Sequence, residues 1–247
     1  MQKTKIEWCD YTINPVKGKC PMACSYCYAR RMYDRFKWNP EIRYEPEVML
    51  DLAKMLDGSK VFWGSTIELF HDSISPQFLK QIFLACKIQN NLTHIFLTKQ
   101  PQNLIKWSPF PENCWVGVTA TNEMEFITAI ECLKDITATV HFVSIEPLLK
   151  WNSIPSIIVE RLFEPRTRYT LGEYIGKYIN WFIIGQQTPV SKKTEPKIEW
   201  IREIVEAADT AGIPVFLKDN LLELVNYESP KTAFAFNKDG YYRQEFP

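Results

Sequence analysis

The chain has 247 residues, 46% of them hydrophobic, which is enough to fill the core of one large α/β domain or two small ones. Its 29 Lys and Arg balance 29 Asp and Glu, which argues against the broad basic footprint of many nucleic-acid binders but leaves room for a local basic patch. The polar start, the lack of a membrane-length apolar run and seven cysteines without a secretory signal predict a cytoplasmic protein in a reducing compartment.

Three cysteines lie close together early in the chain, in the run KGKCPMACSYCYARR. Cys20, Cys24 and Cys27 have the spacing C-x3-C-x2-C. Three thiolates this close can converge on one iron–sulfur cluster, and a four-iron cube would then keep one iron open to a substrate or cofactor. The alternative is a structural zinc, or an electron-transfer cluster, with a distant cysteine as fourth ligand. Cys9 is the nearest candidate for that ligand, although a buried, inert thiol is the commoner role.

The surroundings of these cysteines are typical of a strand–loop–helix unit. An extended stretch is predicted near Tyr11–Val16, and a helix is predicted over Tyr28–Phe36. Gly18 allows a tight turn before Cys20, because glycine has no Cβ. The cysteines therefore lie on a loop that follows a strand.

Short apolar runs then alternate with amphipathic segments. Continuous apolar runs suit strands buried on both faces, as in parallel sheets. They occupy Val61–Trp63, Ile95–Leu97, Trp115–Val118, Val140–Ile145, Trp181–Ile184 and Pro214–Leu217. Helix starts are predicted at Ser75, Asn122 and Pro196, and a helix end at Gly212. The alternation predicts βα units with right-handed crossovers.

Polar residues follow each of the six runs. In a (β/α) barrel the C-terminal strand ends share one mouth, where ligands collect. Loops are solvated in any fold, so polar residues after strands are also expected without a shared cavity. The residues are Ser65, Thr66 and Glu68, then Thr98 and Lys99, then Thr119, Thr121 and Asn122, then Ser144 and Glu146, then Gln186 and Gln187, then Lys218 and Asp219. The repetition favours a lined mouth.

Two carboxylates and two lysines stand out among these residues. Glu68 and Glu146 could bind a ribose, an ammonium group or a substrate, and the equal alternative is an ion pair with Lys99 or Lys218. The lysines could bind a carboxylate as point charges. No G-x-G-x-x-G, P-loop or G-x-S-x-G motif occurs, which excludes most nucleotide-phosphate and serine-hydrolase functions.

The predicted domain covers residues 1–225. An insertion near 151–177 interrupts the succession of βα units. It could form a lid, a partner contact or a solvent-exposed loop. Residues 226–247 are predicted to form a short tail with a hairpin turned at Asp239 and Gly240.

The cysteine spacing, with the aromatic Tyr26 directly before the last cysteine, resembles the signature of the radical S-adenosylmethionine superfamily. Beyond it, the chain is similar to a family of small radical-S-adenosylmethionine-like proteins found in phages, bacteria and archaea. The blocks that carry this similarity are TKIEW at Thr4–Trp8, INPV at Ile13–Val16, CYARRM at Cys27–Met32, ELFHD at Glu68–Asp72, FLTKQPQ at Phe96–Gln102, WVGVT at Trp115–Thr119, FVSIEPLL at Phe142–Leu149, WFIIG at Trp181–Gly185 and VFLKD at Val215–Asp219.

The resemblance implies a partial (β/α)6-type TIM-like barrel with the cluster loop at its C-terminal mouth. It implies a [4Fe–4S] cluster on Cys20, Cys24 and Cys27 whose open iron binds S-adenosylmethionine through its amino and carboxylate groups. The expected reaction is reductive cleavage of that cofactor to a 5′-deoxyadenosyl radical, which abstracts a hydrogen from an unidentified substrate. The expected partners are an electron donor such as flavodoxin or ferredoxin and a nucleobase, peptide or metabolite substrate, with no membrane.

The resemblance also implies cofactor contacts. Tyr26 is expected near the adenine. The Gly-Gly-Glu motif of the superfamily corresponds to Gly64–Glu68 here, which lacks the glycine pair, so only Thr66 and Glu68 are carried over. The full set of candidates is Tyr26, Thr66, Glu68, Lys99, Thr119, Glu146 and Lys218. The alternative functions are a non-catalytic iron–sulfur or zinc module and a cluster-dependent methyl or aminocarboxypropyl transferase.

Overall fold

A computed structural model of the chain describes residues 3–153, 171–225 and 230–247. The chain divides into two compact units, one made of Met1–Val118 with Asp135–Thr139 and the other of Thr119–Lys134 with Val140–Pro247. Both are α/β units in which parallel strands alternate with helices. Most of the insertion predicted near 151–177 lies outside the described residues. No described helix combines the length and apolarity that crossing a bilayer requires.

The strands of the first unit confirm the alternation predicted from the sequence. They are β1 (Tyr11–Ile13), β2 (Val16–Lys17), β3 (Arg43–Tyr44), β4 (Lys60–Trp63), β5 (Thr93–Thr98) and β6 (Cys114–Thr119), of which only the last residue belongs to the second unit. Four of them pair in parallel in the order β1-β4-β5-β6, whereas β2 and β3 form a small antiparallel pair. The C-terminal ends of β1, β4 and β5 therefore lie at one edge of this sheet.

Two α-helices belong to the first unit, α1 (Tyr28–Phe36) and α2 (Pro76–Ile88). α1 has the bounds predicted from the sequence. α2 begins at a proline after Ser75, whose hydroxyl accepts a hydrogen bond from the Gln77 N–H at 3.4 Å. Its apolar residues at helical spacing are buried. Two segments that the sequence does not predict, Pro46–Lys54 and Pro101–Trp107, are 3₁₀ helices.

Aromatic side chains fill the core between α2 and the first sheet. Phe83 of α2 lies 5.2 Å, centroid to centroid, from Phe96 of β5, which stacks on Trp63 of β4 at 6.0 Å. The Trp63 indole N–H donates to Nδ1 of His94 at 3.0 Å, and Nε2 of the same ring lies 3.1 Å from the Gln89 carbonyl oxygen. His94 is fully buried, and this burial lowers its pKa below the ordinary value.

The second unit repeats the βα pattern. Its elements are α3 (Glu123–Leu133), β7 (Val140–Ile145), α4 (Leu171–Ile175), β8 (Trp181–Ile184), α5 (Ile198–Ala211) and β9 (Val215–Leu217). The strands pair in parallel in the order β7-β8-β9, and Phe126 of α3 lies 5.8 Å from Phe182 of β8. α5 is capped at its C-terminus by Gly212. The φ of Gly212 is +67°, in the left-handed region of backbone conformation that is common at helix C-caps.

The start of α3, predicted at Asn122, resembles a capping box but differs from it in one detail. Asn122 accepts hydrogen bonds from the N–H groups of Met124 and Glu125, as expected. The Glu125 carboxylate, however, accepts from the N–H and hydroxyl of Thr121 at 2.7 and 2.9 Å. The return bond of the box therefore reaches one residue further back along the chain.

The C-terminal tail forms the predicted hairpin. Phe236 pairs with Tyr242 in antiparallel fashion, and Gly240 has a φ of +82° in the turn. The tail then runs antiparallel to β9, because the N–H of Leu217 donates to the Arg243 carbonyl at 2.8 Å. The Arg243 guanidinium also lies 2.8 Å from the Asp209 carboxylate of α5. The tail is thus an integral part of the second unit.

Candidate functional site

The cysteine loop begins at a position that only glycine fits. Gly18 has a φ of +127°, and a Cβ built there would lie 2.7 Å from the Glu41 carbonyl oxygen. Its N–H donates to the Tyr33 hydroxyl at 2.8 Å, and the next N–H, from Lys19, donates to the Pro40 carbonyl at 2.9 Å. α1 and the segment before β3 therefore hold the first residues of the loop.

The three cysteines are partly exposed, and no disulfide joins them. Cys27 caps the N-terminus of α1, because its Sγ accepts a hydrogen bond from the Arg30 N–H at 3.4 Å. The Cys27 N–H donates to the Cys24 carbonyl at 3.1 Å, which closes a turn between these two cysteines. The Arg30 guanidinium donates to the Cys20 carbonyl at 3.3 Å, so α1 also contacts the first cysteine.

Cys20 is affected by burial, by backbone N–H donors and by a neighbouring carboxylate. Its Sγ accepts a hydrogen bond from the Glu68 N–H at 3.4 Å. Burial raises the pKa of the Cys20 thiol, N–H donors from Glu68 and Met22 lower it in part, and the Glu68 carboxylate and Cys27 raise it further. Because a metal binds the thiolate, loading of this site must release a proton.

The donor set fits an iron–sulfur cluster by its chemistry. Three cysteine sulfurs share one loop, and backbone N–H groups point at two of them, as is common around cluster ligands. Residues 3–153, 171–225 and 230–247 contain no group of three His, Cys, Asp or Glu side chains placed to hold one metal ion. A four-iron cluster binds each cysteine through a different iron, so its ligands do not have to meet at one point.

The loop after β4 carries the buried carboxylate of Glu68. One carboxylate oxygen accepts from the Thr98 hydroxyl at 2.6 Å and from the Phe70 N–H at 3.1 Å, and the other accepts from the Lys99 N–H at 2.7 Å. Burial raises the pKa of Glu68, and these three donors oppose the shift. Glu68 therefore ties the loop after β4 to the end of β5.

Thr66, in the same loop, is held by Asn14, which follows β1. The Asn14 amide oxygen accepts from the Thr66 N–H and hydroxyl, both at 3.3 Å, and from the Ser65 hydroxyl at 3.2 Å. The Tyr28 hydroxyl, from the first residue of α1, donates to the Ser65 carbonyl at 3.0 Å. The ends of β1 and β4 and the start of α1 thus meet in one hydrogen-bonded group.

Tyr26 and Lys99 lie together, as the sequence predicts for residues of one site. The Lys99 ammonium nitrogen is 5.4 Å from the centroid of the Tyr26 ring, a cation–π distance. The next residue, Gln100, donates from its side-chain amide to the sulfur of Met22 on the cysteine loop at 3.2 Å. The loop after β5 therefore contacts the cysteine loop directly.

Four of the seven predicted cofactor contacts thus belong to one connected region of the first unit with the cysteines: Tyr26, Thr66, Glu68 and Lys99. The sequence placed Thr98 among the polar residues of the predicted mouth but did not single out Asn14 or Gln100. Asn14 could have been found, since it is a polar residue directly after the first strand. Thr98 and Gln100 flank the predicted Lys99 at a strand end, and only the pairing of β4 with β5 shows what they contact.

The other three candidates, Thr119, Glu146 and Lys218, belong to the second unit. Thr119 ends β6 and is buried. The Lys218 ammonium forms an ion pair with the Glu146 carboxylate, which is the alternative that the sequence left open for these two residues. The pair covers Gly185, where a Cβ would lie 3.0 Å from the Lys218 side chain.

Gln186 and Ser144, which are close in sequence to Gly185 and Glu146, each carry a buried polar atom. The Gln186 side chain donates to the Asn220 carbonyl, but its own amide oxygen accepts no hydrogen bond from the described residues. The same holds for the hydroxyl of Ser144 on β7. Both residues are almost fully buried, so a polar ligand or water would be needed to satisfy them.

A family model described as "Protein of unknown function (DUF5131)" matches residues 3–244 of the chain. No curated protein matches the chain, and no solved structure matches it.

Proposed function

We propose that this chain, which belongs to the family described as a protein of unknown function (DUF5131), is a radical S-adenosylmethionine enzyme with a [4Fe–4S] cluster on Cys20, Cys24 and Cys27. The observation that carries the proposal is a pair of hydrogen bonds to cysteine sulfurs. The N–H of Glu68 donates to the Sγ of Cys20, and the N–H of Arg30 donates to the Sγ of Cys27. Such donors stabilise thiolate ligands and tune the cluster that they bind. The donor set belongs to one loop, which also contacts two strand ends of the same sheet.

When bound, the cluster supplies the electron that splits S-adenosylmethionine into methionine and a 5′-deoxyadenosyl radical, which abstracts a hydrogen from the substrate. The electron comes from a donor such as flavodoxin or ferredoxin. Cys20, Cys24 and Cys27 would hold such a cluster, and with three cysteine ligands one iron would be left for the amino and carboxylate groups of the cofactor. The proposal also places the enzyme in the cytoplasm, where reducing conditions preserve thiols.

The residues around the loop have separate roles in this proposal. Lys99 contributes a positive charge for the methionine carboxylate, and Tyr26 contributes a ring for the adenine. A carboxylate has about four acceptor sites, and three donors already engage Glu68. The remaining site and the Thr66 hydroxyl are the proposed acceptors for the methionine ammonium group.

The proposal includes a specific fold: a partial (β/α)6-type TIM-like barrel with the cluster loop at its mouth. The parallel βα arrangement within each unit supports it. The cofactor contacts predicted for Thr119, Glu146 and Lys218 stay predictions that depend on it. A crystal structure with S-adenosylmethionine bound would test all of them.

Iron and acid-labile sulfide analysis after anaerobic reconstitution tests the cluster. We expect about four irons per chain in the wild type, and loss of most of this iron in Cys20→Ala, Cys24→Ala and Cys27→Ala. Cys132→Ala removes a cysteine of similar exposure from the second unit and serves as the matched control. Cys86→Ala, at a buried position on α2, is a second control that should keep its iron. One zinc per chain, or equal iron in wild type and Cys24→Ala, would overturn the assignment.

Product analysis tests the reaction. With a strong reductant and S-adenosylmethionine, the reconstituted protein should release 5′-deoxyadenosine, detectable by liquid chromatography and mass spectrometry. Release of S-adenosylhomocysteine or of 5′-methylthioadenosine would instead show methyl or aminocarboxypropyl transfer. A full cluster with no cofactor cleavage under any reductant would support the non-catalytic alternative.

A further inference from the structure

Helix α1 exposes a basic and aromatic surface directly after the cysteine loop. Residues four apart lie on one helix face, so Tyr28, Met32 and Phe36 form one row and Arg31 and Arg35 form the neighbouring row. The two rows together cover less than half of the helix circumference. The three apolar side chains are 50%, 36% and 52% exposed. These five residues and Trp38 are called the α1 surface below.

Two aromatic rings of the α1 surface form a fixed platform. Trp38 is 45% exposed and stacks on Phe36, with centroids 5.5 Å apart and ring planes 23° from parallel. The buried Tyr33 ring lies nearly perpendicular to Trp38, with centroids 5.3 Å apart, and this packing fixes the orientation of Trp38. The Arg35 guanidinium lies 5.3 Å from the centroid of Phe36. An exposed stack of this kind offers a flat, rigid face with a cation beside it.

The charge around this platform is positive although the whole chain is neutral. From Lys17 to Glu45 there are seven Lys or Arg against three Asp or Glu. Two of the three acids are neutralised locally: Asp34 pairs with Lys19 at 2.5 Å, and Glu45 pairs with Arg43 at 2.8 Å. On α1 itself, Arg31 and Arg35 are exposed.

We propose that the α1 surface binds single-stranded nucleic acid. Phe36 and Trp38 would stack on bases, and Arg31 and Arg35 would contact the phosphates. Aromatic platforms beside cations are the recurring means of holding single strands, because every base has a π face and every nucleotide a negative charge. The platform favours this partner over a membrane, since Trp38 is held against Tyr33 and Phe36 stacks on Trp38 instead of forming an extended apolar face.

Binding at the α1 surface does not require the cluster. α1 begins immediately after Cys27, so a bound strand would pass next to the cysteine loop. If the proposed function holds, nucleic acid becomes the substrate class of the enzyme, and this extension alone rests on that function.

Fluorescence anisotropy with the full-length protein tests the inference. The probe is a fluorescein-labelled oligothymidylate about 12 nucleotides long, a length within the site sizes of single-strand binders. Phe36→Ala and Trp38→Ala should each raise Kd by about 5- to 150-fold, the usual range for loss of one stacked base. Arg31→Ala and Arg35→Ala should each reduce the slope of log Kd against log salt by about 0.7, the value for one phosphate of a single strand.

Matched controls come from the C-terminal tail. Tyr241→Ala removes an aromatic ring that is 71% exposed, and Lys238→Ala removes an exposed cation. Both should bind the probe like the wild type. Thermal melts followed by circular dichroism verify that each variant is folded. Equal affinity of the wild type and Phe36→Ala, or a duplex probe bound as tightly as the single strand, would overturn the inference. So would binding to phosphatidylserine vesicles that depends on the α1 surface, without binding of the oligonucleotide.

Cys24→Ala, measured in the same assay, separates this inference from the proposed function. It should lose the cluster and keep the affinity of the wild type for the oligonucleotide. Normal cluster content and cofactor cleavage in a protein that does not bind the probe would disprove the nucleic-acid inference alone. Probe binding at the α1 surface in a protein that takes up no iron would disprove the proposed function alone.

Discussion

The backbone N–H of Glu68 donates a hydrogen bond to the Sγ of Cys20 at 3.4 Å, across a separation of 48 residues. The carboxylate of the same Glu68 accepts hydrogen bonds from Thr98 and Lys99 at the end of β5. One residue therefore contacts a proposed cluster ligand with its backbone and anchors a second strand end with its side chain. A change to the Glu68 side chain should therefore alter the hydrogen bond that the backbone of residue 68 donates to Cys20.

We expect Glu68→Gln to lower the free energy of unfolding by about 1–3 kcal/mol, the cost of leaving buried donors unsatisfied. The amide keeps one acceptor oxygen but places an NH₂ group against an N–H or hydroxyl donor. Urea denaturation of the protein without metal measures this change. The same substitution should reduce iron occupancy after reconstitution, because the Glu68 N–H would shift away from Cys20.

Glu41→Gln is the control for this experiment. Glu41 is exposed in the same unit, and the substitution should change the free energy of unfolding by less than about 0.5 kcal/mol. Equal urea midpoints for Glu68→Gln and Glu41→Gln would show that the buried carboxylate does not hold the two strand ends together.

The strands and most helices could be predicted from the sequence because local pattern determines them. Val140–Ile145 and Trp181–Ile184 have the predicted bounds, since continuous apolar runs form buried parallel strands. The contact of Asn14 with Thr66 was missed, because the pattern of apolar runs predicts the strands but not which side chains of the neighbouring loops meet. The 3₁₀ helix at Pro101–Trp107 was missed because it lacks a 3.6-residue apolar period.

Gly18 provides a test of the loop geometry. Gly18→Ala should cost about 3 kcal/mol, because a strained φ is combined with a Cβ that would lie 2.7 Å from backbone oxygen. Gly58→Ala is the matched control: Gly58 has a φ of +78°, but a Cβ there meets no atom within 4 Å. It should cost only about 1–2 kcal/mol, the strain of the backbone alone. Denaturation measures both, and equal costs would contradict the loop geometry described for Gly18.

His94 should make the protein sensitive to acid. Burial lowers the pKa of His94 in the folded chain, whereas an unfolded chain takes up this proton near pH 6.5. Below about pH 6.5 the unfolded state therefore binds a proton that the folded state does not, and stability falls as the pH falls toward the folded pKa. The contribution of His94 to this loss is at most about 1.4 kcal/mol per pH unit.

His94→Gln isolates this contribution. The variant should be less stable at pH 7.5, because Gln does not reproduce both hydrogen bonds of the ring, and it should lose less further stability between pH 6.5 and 5 than the wild type does. His71→Gln, at a partly exposed loop position, is the control and should follow the wild-type profile. Parallel pH profiles for the wild type and His94→Gln would show that His94 does not titrate differently on folding.

Cys9 is the residue that could block the proposed cofactor site by serving as a fourth ligand of the cluster. Its position argues against that role. The next residue, Asp10, receives a hydrogen bond from the N–H of Lys60, the first residue of β4. Cys9 therefore lies near the N-terminal ends of β1 and β4, whereas the cysteine loop follows the opposite ends. Its thiol donates to the Ile6 carbonyl at 3.9 Å, and its side chain is buried.

A cluster with three cysteine ligands should therefore respond to S-adenosylmethionine, and electron paramagnetic resonance of the reduced protein can detect the response. We expect the spectrum of the wild type to change when the cofactor is added, because the amino and carboxylate groups bind the iron without a cysteine. Cys9→Ser should give the same spectra and the same iron content, since Cys9 does not bind the cluster. The opposite result is a wild-type spectrum that does not change on addition of the cofactor and a Cys9→Ser spectrum that does. It would show that Cys9 is a fourth ligand, and the proposed enzyme activity would then be wrong.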